Sequence, residues 1–344
     1  MNALLLTAPS KLELVEFTTP QPGEDEVLVR IRACGICGSD IHGWDGSSGR
    51  RIPPLIMGHE AAGEIAGVGP NVNSWRVGDR VTFDSTIYCG QCDYCRSGRV
   101  NLCESRRVIG VSPPEYKQHG AFAEYLVVPQ RILYRLPDGM PFEHAAMVEP
   151  VSIAVHAVQR VTIAPTDIAV VVGAGMIGLL IIQVLRWSGA QRVIAVDLEP
   201  KRLALARELG ATDTLQSNAG DIPAEILRLS DGHGADCVFE AVGIGATTQL
   251  ALQVARRGGA IVLVGNLAQK IEFPLQSVVT RELTIHGSCS SAGEYPLCLD
   301  LIARNIVRVG PMISTIAPLS HGIDWFQRLS SRGGGEYLKV ILQP

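Results

Sequence analysis

The sequence predicts an α/β protein in two parts, a β-rich domain followed by a doubly wound parallel sheet. Over residues 1–153, short runs alternate apolar and polar residues, with Gly, Pro and Asn between them. Over residues 154–290, apolar strand-like runs alternate with helical ones. The last segment, 291–344, is too short to fold alone and is expected to return to the first domain.

The size and composition bound the possibilities. A chain of 344 residues makes about two ordinary domains, and 47% hydrophobic content is enough to build their cores. The formal net charge of -4 is small and the basic residues are scattered, so nucleic acid and anionic membrane are not expected partners. The N-terminus has no basic region and only a short apolar run, which does not match a signal peptide. A cytoplasmic protein is therefore expected, and in a reducing compartment clustered cysteines more often bind metal than form bridges.

In the first part, Val27-Leu-Val-Arg-Ile-Arg-Ala33 alternates as a half-buried strand should. The runs starting at Glu64, Asp79 and Phe122 read the same way, giving a compact barrel-like domain. Its loops carry Cys34-Gly-Ile-Cys37-Gly-Ser39-Asp40-Ile-His42 and, further on, Gly58-His59-Glu60. Thiolate, imidazole and carboxylate in one short region form a zinc-type ligand set, and a catalytic zinc leaves one position open. Ser39 and His42 are close enough in sequence to line the same cleft, which suits loss of a proton from a bound alcohol.

A second cluster, Cys89-x2-Cys92-x2-Cys95-x7-Cys103, has the spacing of a closed four-thiolate site. A structural zinc stabilising a loop without its own core is the reading favoured over a disulfide pair or a labile redox site. Four thiolates also hold iron–sulfur clusters, but nothing else here points to one-electron chemistry.

The second part opens with Ile168-Ala-Val-Val-Val172, a continuous apolar run typical of a strand covered on both faces. Gly173-Ala-Gly175-Met176-Ile177-Gly178 and a helical run to Trp187 follow. This strand-to-helix turn also accounts for the apolar stretch 168–185, the best membrane-span candidate. The next strand, Arg192–Val196, ends at Asp197, nineteen residues past Gly178. In this context the glycine pattern is a dinucleotide fingerprint: its backbone can approach a pyrophosphate at a helix N-terminus. Asp197 would accept from the adenosine ribose hydroxyls and repel a 2′-phosphate, favouring NAD over NADP. Arg202 is either a second ribose contact or a surface residue. Further strands are expected at 236–240, 260–264 and 283–286, with helices at 201–209 and 248–257. Val242 and Gly265, just beyond two of these strands, join the expected cofactor-binding set.

With Val148-Glu149-Pro150 lying between the cysteine lobe and the fingerprint, the chain resembles a known family along essentially its whole length. It is similar to the zinc-containing medium-chain alcohol dehydrogenases, nearest their sorbitol (polyol) and threonine dehydrogenase branch. The resemblance implies a GroES-like catalytic domain with a Rossmann coenzyme domain inserted before its C-terminal segment, and a substrate cleft between them. It implies Cys37 and His59 as ligands of the catalytic zinc, completed by Glu60 and by Glu149, directly or through water. Ethanol-type enzymes have cysteine where Glu149 stands. Asp40 matches the carboxylate that orients the zinc histidine. Ser39 and His42 match a proton relay running through the nicotinamide ribose to solvent, and Lys339 matches a basic residue near the coenzyme pyrophosphate. A homodimer or homotetramer is also implied.

One departure bears on the substrate. Sorbitol dehydrogenases carry an Arg-Tyr pair in the loop after the last coenzyme-domain strand, where this chain has Ser290-Ser291. The resemblance thus implies oxidation of a secondary alcohol, a polyol or sugar alcohol, to a ketone with NAD, without fixing sorbitol as the substrate. Amino-alcohol, diol and sugar-phosphate dehydrogenases share these residues, and a non-catalytic NAD-binding regulator is a more remote reading. The remaining cysteines, Cys34, Cys237, Cys289 and Cys298, lie in apolar patterns and are expected to be buried. Trp44 would line the substrate mouth or anchor its loop, and His119 has no fixed role.

Overall fold

The computed structural model describes residues 1–331 and 336–344. The chain divides into two compact units. The first is assembled from Met1–Glu149, Ala292–Arg304 and Val309–Pro344, and the second from Pro150–Ser291 and Asn305–Arg308.

The first unit is built around the strand Glu26–Ile36, whose Val27, Val29, Ile31 and Ala33 are all buried. This strand pairs antiparallel with Glu60–Val68, Tyr125–Pro129 and Lys339–Gln343 in a seven-stranded sheet. Two register shifts along its pairing with Glu60–Val68 bend the sheet, as bulges do. The core beneath gathers Leu4, Leu6, Ile31, Phe83, Phe122 and Phe326, with the last two rings edge-on at 5.7 Å. The C-terminal strand brings Val340, Ile341 and Leu342, all buried, into this sheet beside Cys34, Gly35 and Ile36. The four-cysteine stretch forms a small lobe with the short helix Asp93–Arg96 and one 3-10 turn, Val100–Leu102.

The second unit is a six-stranded, wholly parallel sheet. Its spatial order is Asp213–Gln216, Arg192–Asp197, Ile168–Val172, Ala235–Glu240, Ala255–Leu263 and Thr284–Gly287. The chain starts in the middle, builds outward on one side, then returns to build the other. The order reverses between Ile168–Val172 and Ala235–Glu240, the switch point at which such sheets bind ligands. Val170, Val171, Ile194 and Val238 are fully buried, as strands covered on both faces require.

Two local expectations are corrected. The helix expected at 248–257 is Gly245–Val254, and residues 255–257 already belong to the strand Ala255–Leu263. Ala255 pairs with Ala235, and its carbonyl accepts from Arg281, so sheet pairing overrides the helical propensity of Ala-Arg-Arg. Cys289 is exposed, whereas Cys34, Cys237 and Cys298 are buried; among the described residues no cysteine forms a disulfide. No described helix is long and apolar enough to cross a membrane; the stretch 168–185 is a strand, a glycine turn and the start of the helix Met176–Trp187.

Candidate active site

The central strand runs straight into the first candidate ligand. Cys37 follows Ile36 and sits at the N-cap of the helix Gly38–Trp44, and its backbone N–H donates to Asp40 Oδ2 at 3.1 Å. Capping by Asp40 fixes where this helix begins, and with it the positions of Ser39, Asp40 and His42. Ser39 is exposed and His42 half-buried, three residues apart on the same helix. Asp40 is completely buried, with Oδ1 at 3.2 Å from Arg51 Nη2 and 3.4 Å from His59 Nδ1. Burial alone would raise its pKa, but His59 and Arg51 outweigh this and hold it at about 2.

Register places the other ligands. Glu60 opens the strand opposite Gly35, so it lies across from the end of the strand that leads to Cys37. Ligand atoms of Cys37, His59 and Glu60 all lie within 4.8 Å of one another. A Cβ at position 35 would overlap Glu60 Oε2, so Gly35 makes room for this carboxylate. Glu60 is paired with Lys339, whose Nζ also donates to the Ile36 carbonyl at 3.2 Å. The donor set, soft sulfur with imidazole and carboxylate, suits zinc. The local charges do so as well. Burial disfavours a protonated His59, yet Asp40 and Cys37 raise its pKa well above the usual histidine value, so this buried imidazole sits among anions that a bound cation would balance. Contact with Asp40 on the Nδ1 side leaves the other ring nitrogen for metal.

Glu149 is not part of that close set. It lies at the start of the helix Val148–Val158, with Ser85 Oγ 3.4 Å from its Oε1. Burial, reinforced by Glu60 and opposed by His59, pushes its pKa up to about 7.

The ligand atoms of Cys89, Cys92, Cys95 and Cys103 likewise gather within 4.8 Å of one another. The Gln91 and Cys92 backbone N–H groups both point at Cys89 Sγ from 3.4 Å, and the Cys89 N–H donates to Cys103 Sγ at 3.2 Å. The Gln91 and Cys92 amides draw the Cys89 thiol down to about 6, which favours the thiolate that a metal needs.

In the second unit, Gly173 has φ +96°, and Gly175 caps the helix that starts at Met176-Ile177. A Cβ on Gly178 would overlap the Gly173 carbonyl, so the helix and turn are in glycine-only contact. Asp197 ends its strand and accepts from Ala174 N at 2.6 Å and Glu199 N at 2.9 Å. Arg202 is half-buried on the helix Pro200–Glu208. Val242 packs against Gly173 and Gly265 where three strands end. The Val242 and Gly243 amides there are held by the buried Glu240 carboxylate at 2.8–3.0 Å.

Several of these roles carried no sequence signal. Lys339 is only 3% exposed, and its pairing with Glu60 is visible only in the fold. Arg51, the partner of Asp40, belongs to no motif of the sequence. His119 accepts from Ile56 N through Nδ1 at 3.2 Å, and the Trp44 ring lies 6.2 Å from that of Phe326.

Residues 23–138 match the alcohol dehydrogenase GroES-like domain, and residues 177–304 match the zinc-binding dehydrogenase domain. Sorbitol dehydrogenase of Bacillus subtilis is 34% identical, covering 100% of this chain and 97% of its own. D-arabitol-phosphate dehydrogenase of Enterococcus avium is 32% identical, with 97% and 94% covered. The crystal structure of galactitol-1-phosphate dehydrogenase from Escherichia coli superposes with a TM-score of 0.92 at 28% identity, over 100% of both chains. The chain belongs to the zinc-binding alcohol dehydrogenase family. It is an oxidoreductase with a GroES-like domain and a Rossmann-type sheet.

Proposed function

We propose that this protein oxidises a secondary alcohol of the polyol or sugar-alcohol class to a ketone, with NAD as hydride acceptor. The observation that carries the reading is the convergence of Cys37, His59 and Glu60 beside the helix bearing Ser39 and His42. The bound groups would supply Lewis-acid polarisation of the alcohol oxygen (zinc) and hydride acceptance (nicotinamide). Cys37, His59 and Glu60 would hold the metal, with Glu149 reaching it directly or through water, and Asp40 would keep the His59 ring oriented. Ser39 Oγ takes the proton of the substrate hydroxyl, and His42 passes a proton on to solvent. Cys89, Cys92, Cys95 and Cys103 hold a second, structural zinc. Gly173, Gly175, Met176, Ile177, Gly178, Val242 and Gly265 frame the dinucleotide. The Asp197 carboxylate would select NAD by repelling a 2′-phosphate, and Arg202 would contact the same ribose.

A second reading, a sugar-phosphate substrate, is favoured by the two relatives named for phosphorylated polyols. Ser290-Ser291 in place of an Arg-Tyr pair is compatible with either. The same reading carries a homodimer or homotetramer, which sedimentation velocity would decide. Initial rates on a panel of polyols, diols, amino alcohols and polyol phosphates, each with NAD and NADP, test the assignment. Turnover is expected on a polyol or its phosphate, with NAD preferred. Cofactor binding without turnover on any member of the panel would favour the regulator instead.

A further inference from the structure

Arg51 lies outside every motif discussed above, yet it is 7% exposed beside the candidate metal set. Its Nη2 donates to Ser39 Oγ at 3.0 Å and to Asp40 Oδ1 at 3.2 Å. The segment that delivers it is braced on both sides. Ser112 N donates to the Arg50 carbonyl at 3.0 Å, and Ile52 N donates to the Ser112 carbonyl at 3.1 Å. The side chain then crosses the helix Gly38–Trp44 at Gly43, where any Cβ would overlap Arg51 Cδ. Arg51 Nε is buried with no hydrogen-bond partner. Burying a guanidinium with an orphan N–H is costly, and fold stability alone is a poor reason to keep it.

We propose that Arg51 is the positioning residue for the Ser39 hydroxyl, tying it to the carboxylate that orients His59. The inference rests on the relay role given to Ser39 above. Because Ser39 Oγ accepts from Arg51, one lone pair is occupied and the hydroxyl can no longer rotate freely. It then has one lone pair to receive the substrate proton and one hydrogen to release toward His42. One proton enters as one leaves, so Ser39 stays neutral. Gly43 belongs to the same device, because only a residue without a side chain lets the guanidinium lie across the helix.

The test compares Arg51→Gln, Arg51→Lys, Gly43→Ala, Ser39→Ala and the Arg51→Gln/Ser39→Ala double variant in steady-state oxidation, with zinc per chain measured on each. Arg51→Gln is expected to lower kcat by about 10–100-fold, the usual range for a residue supporting a metal-site group, while the KM for NAD and zinc content hold. Gly43→Ala should reproduce this loss without removing any charge, and Arg51→Lys should restore part of it. Adding Arg51→Gln to Ser39→Ala should cost nothing further, because the two act as one unit. Independent, multiplying losses in the double variant would overturn the inference, as would zinc loss in Arg51→Gln. If Ser39→Ala lowers kcat while Arg51→Gln is fully active, the inference fails alone. If Ser39→Ala is itself fully active, the relay reading fails and takes the inference with it.

Discussion

Two buried aspartates in the first unit are driven in opposite directions, one by its charged partners and the other by burial. Asp40 faces Arg51 and His59 and is held at about 2. Asp84 accepts one backbone N–H, from Thr86 at 2.8 Å, while its other oxygen has no partner, and burial pushes it up to about 7. Between about pH 4 and pH 7 the folded chain therefore keeps a proton on Asp84 that the unfolded chain has released. Its effect is that stability falls as pH rises through that window and levels off above it. Asp84→Asn keeps the acceptor for Thr86 and removes the titration. Its gain in unfolding free energy over wild type should be larger at pH 8 than at pH 5, by about 2–3 kcal/mol. Urea unfolding at the two values reads this, and an equal difference at both would show that Asp84 does not titrate as described. Single residues also mark what sequence can carry. Cys37, the four lobe cysteines and the glycine fingerprint are legible because their chemistry is written in short spacings. Lys339 and Glu60 lie 279 residues apart and meet only when the C-terminal strand enters the sheet, so no local pattern announces their pair.

At the scale of elements, the site depends on strand ends and helix starts. The helix Gly38–Trp44 begins where Asp40 caps it, and the helix Met176–Trp187 begins where Gly175 turns the chain. Alternation and apolar runs made most strands legible. The boundary near 254 was not, because the Ala255–Ala235 pairing and the Arg281 side chain decide it from a distance. The exposure of Cys289 was hidden in the same way, since an apolar local pattern does not report how a loop is covered. The helix Met176–Trp187 meets the preceding turn at Gly178, where any Cβ would overlap the Gly173 carbonyl. In Gly178→Ala the new methyl meets backbone rather than a flexible side chain, so the helix must move off the strand. Overpacking of this kind costs about 1–3 kcal/mol. It should lower the melting temperature and abolish NADH binding, as read by thermal unfolding and by fluorescence titration. Wild-type NADH affinity in this variant would show that the turn is not the dinucleotide site.

The first unit is assembled from three separate stretches of chain, and the last strand pairs directly with the strand that leads to Cys37. The second unit carries the glycine turn, Asp197 and the switch point of a doubly wound sheet. Metal-type donors in one unit and a dinucleotide fingerprint in the other are the parts a zinc-dependent dehydrogenase needs, and we propose that Cys37 and His59 hold a catalytic zinc distinct from the cysteine lobe. Zinc per chain, measured on wild type and on Cys37→Ser alongside NAD-linked oxidation, tests this most directly. Two zinc ions are expected to fall to one, with oxidation lost and NADH binding kept. A zinc content unchanged by the substitution, or full oxidation by the variant, would contradict it.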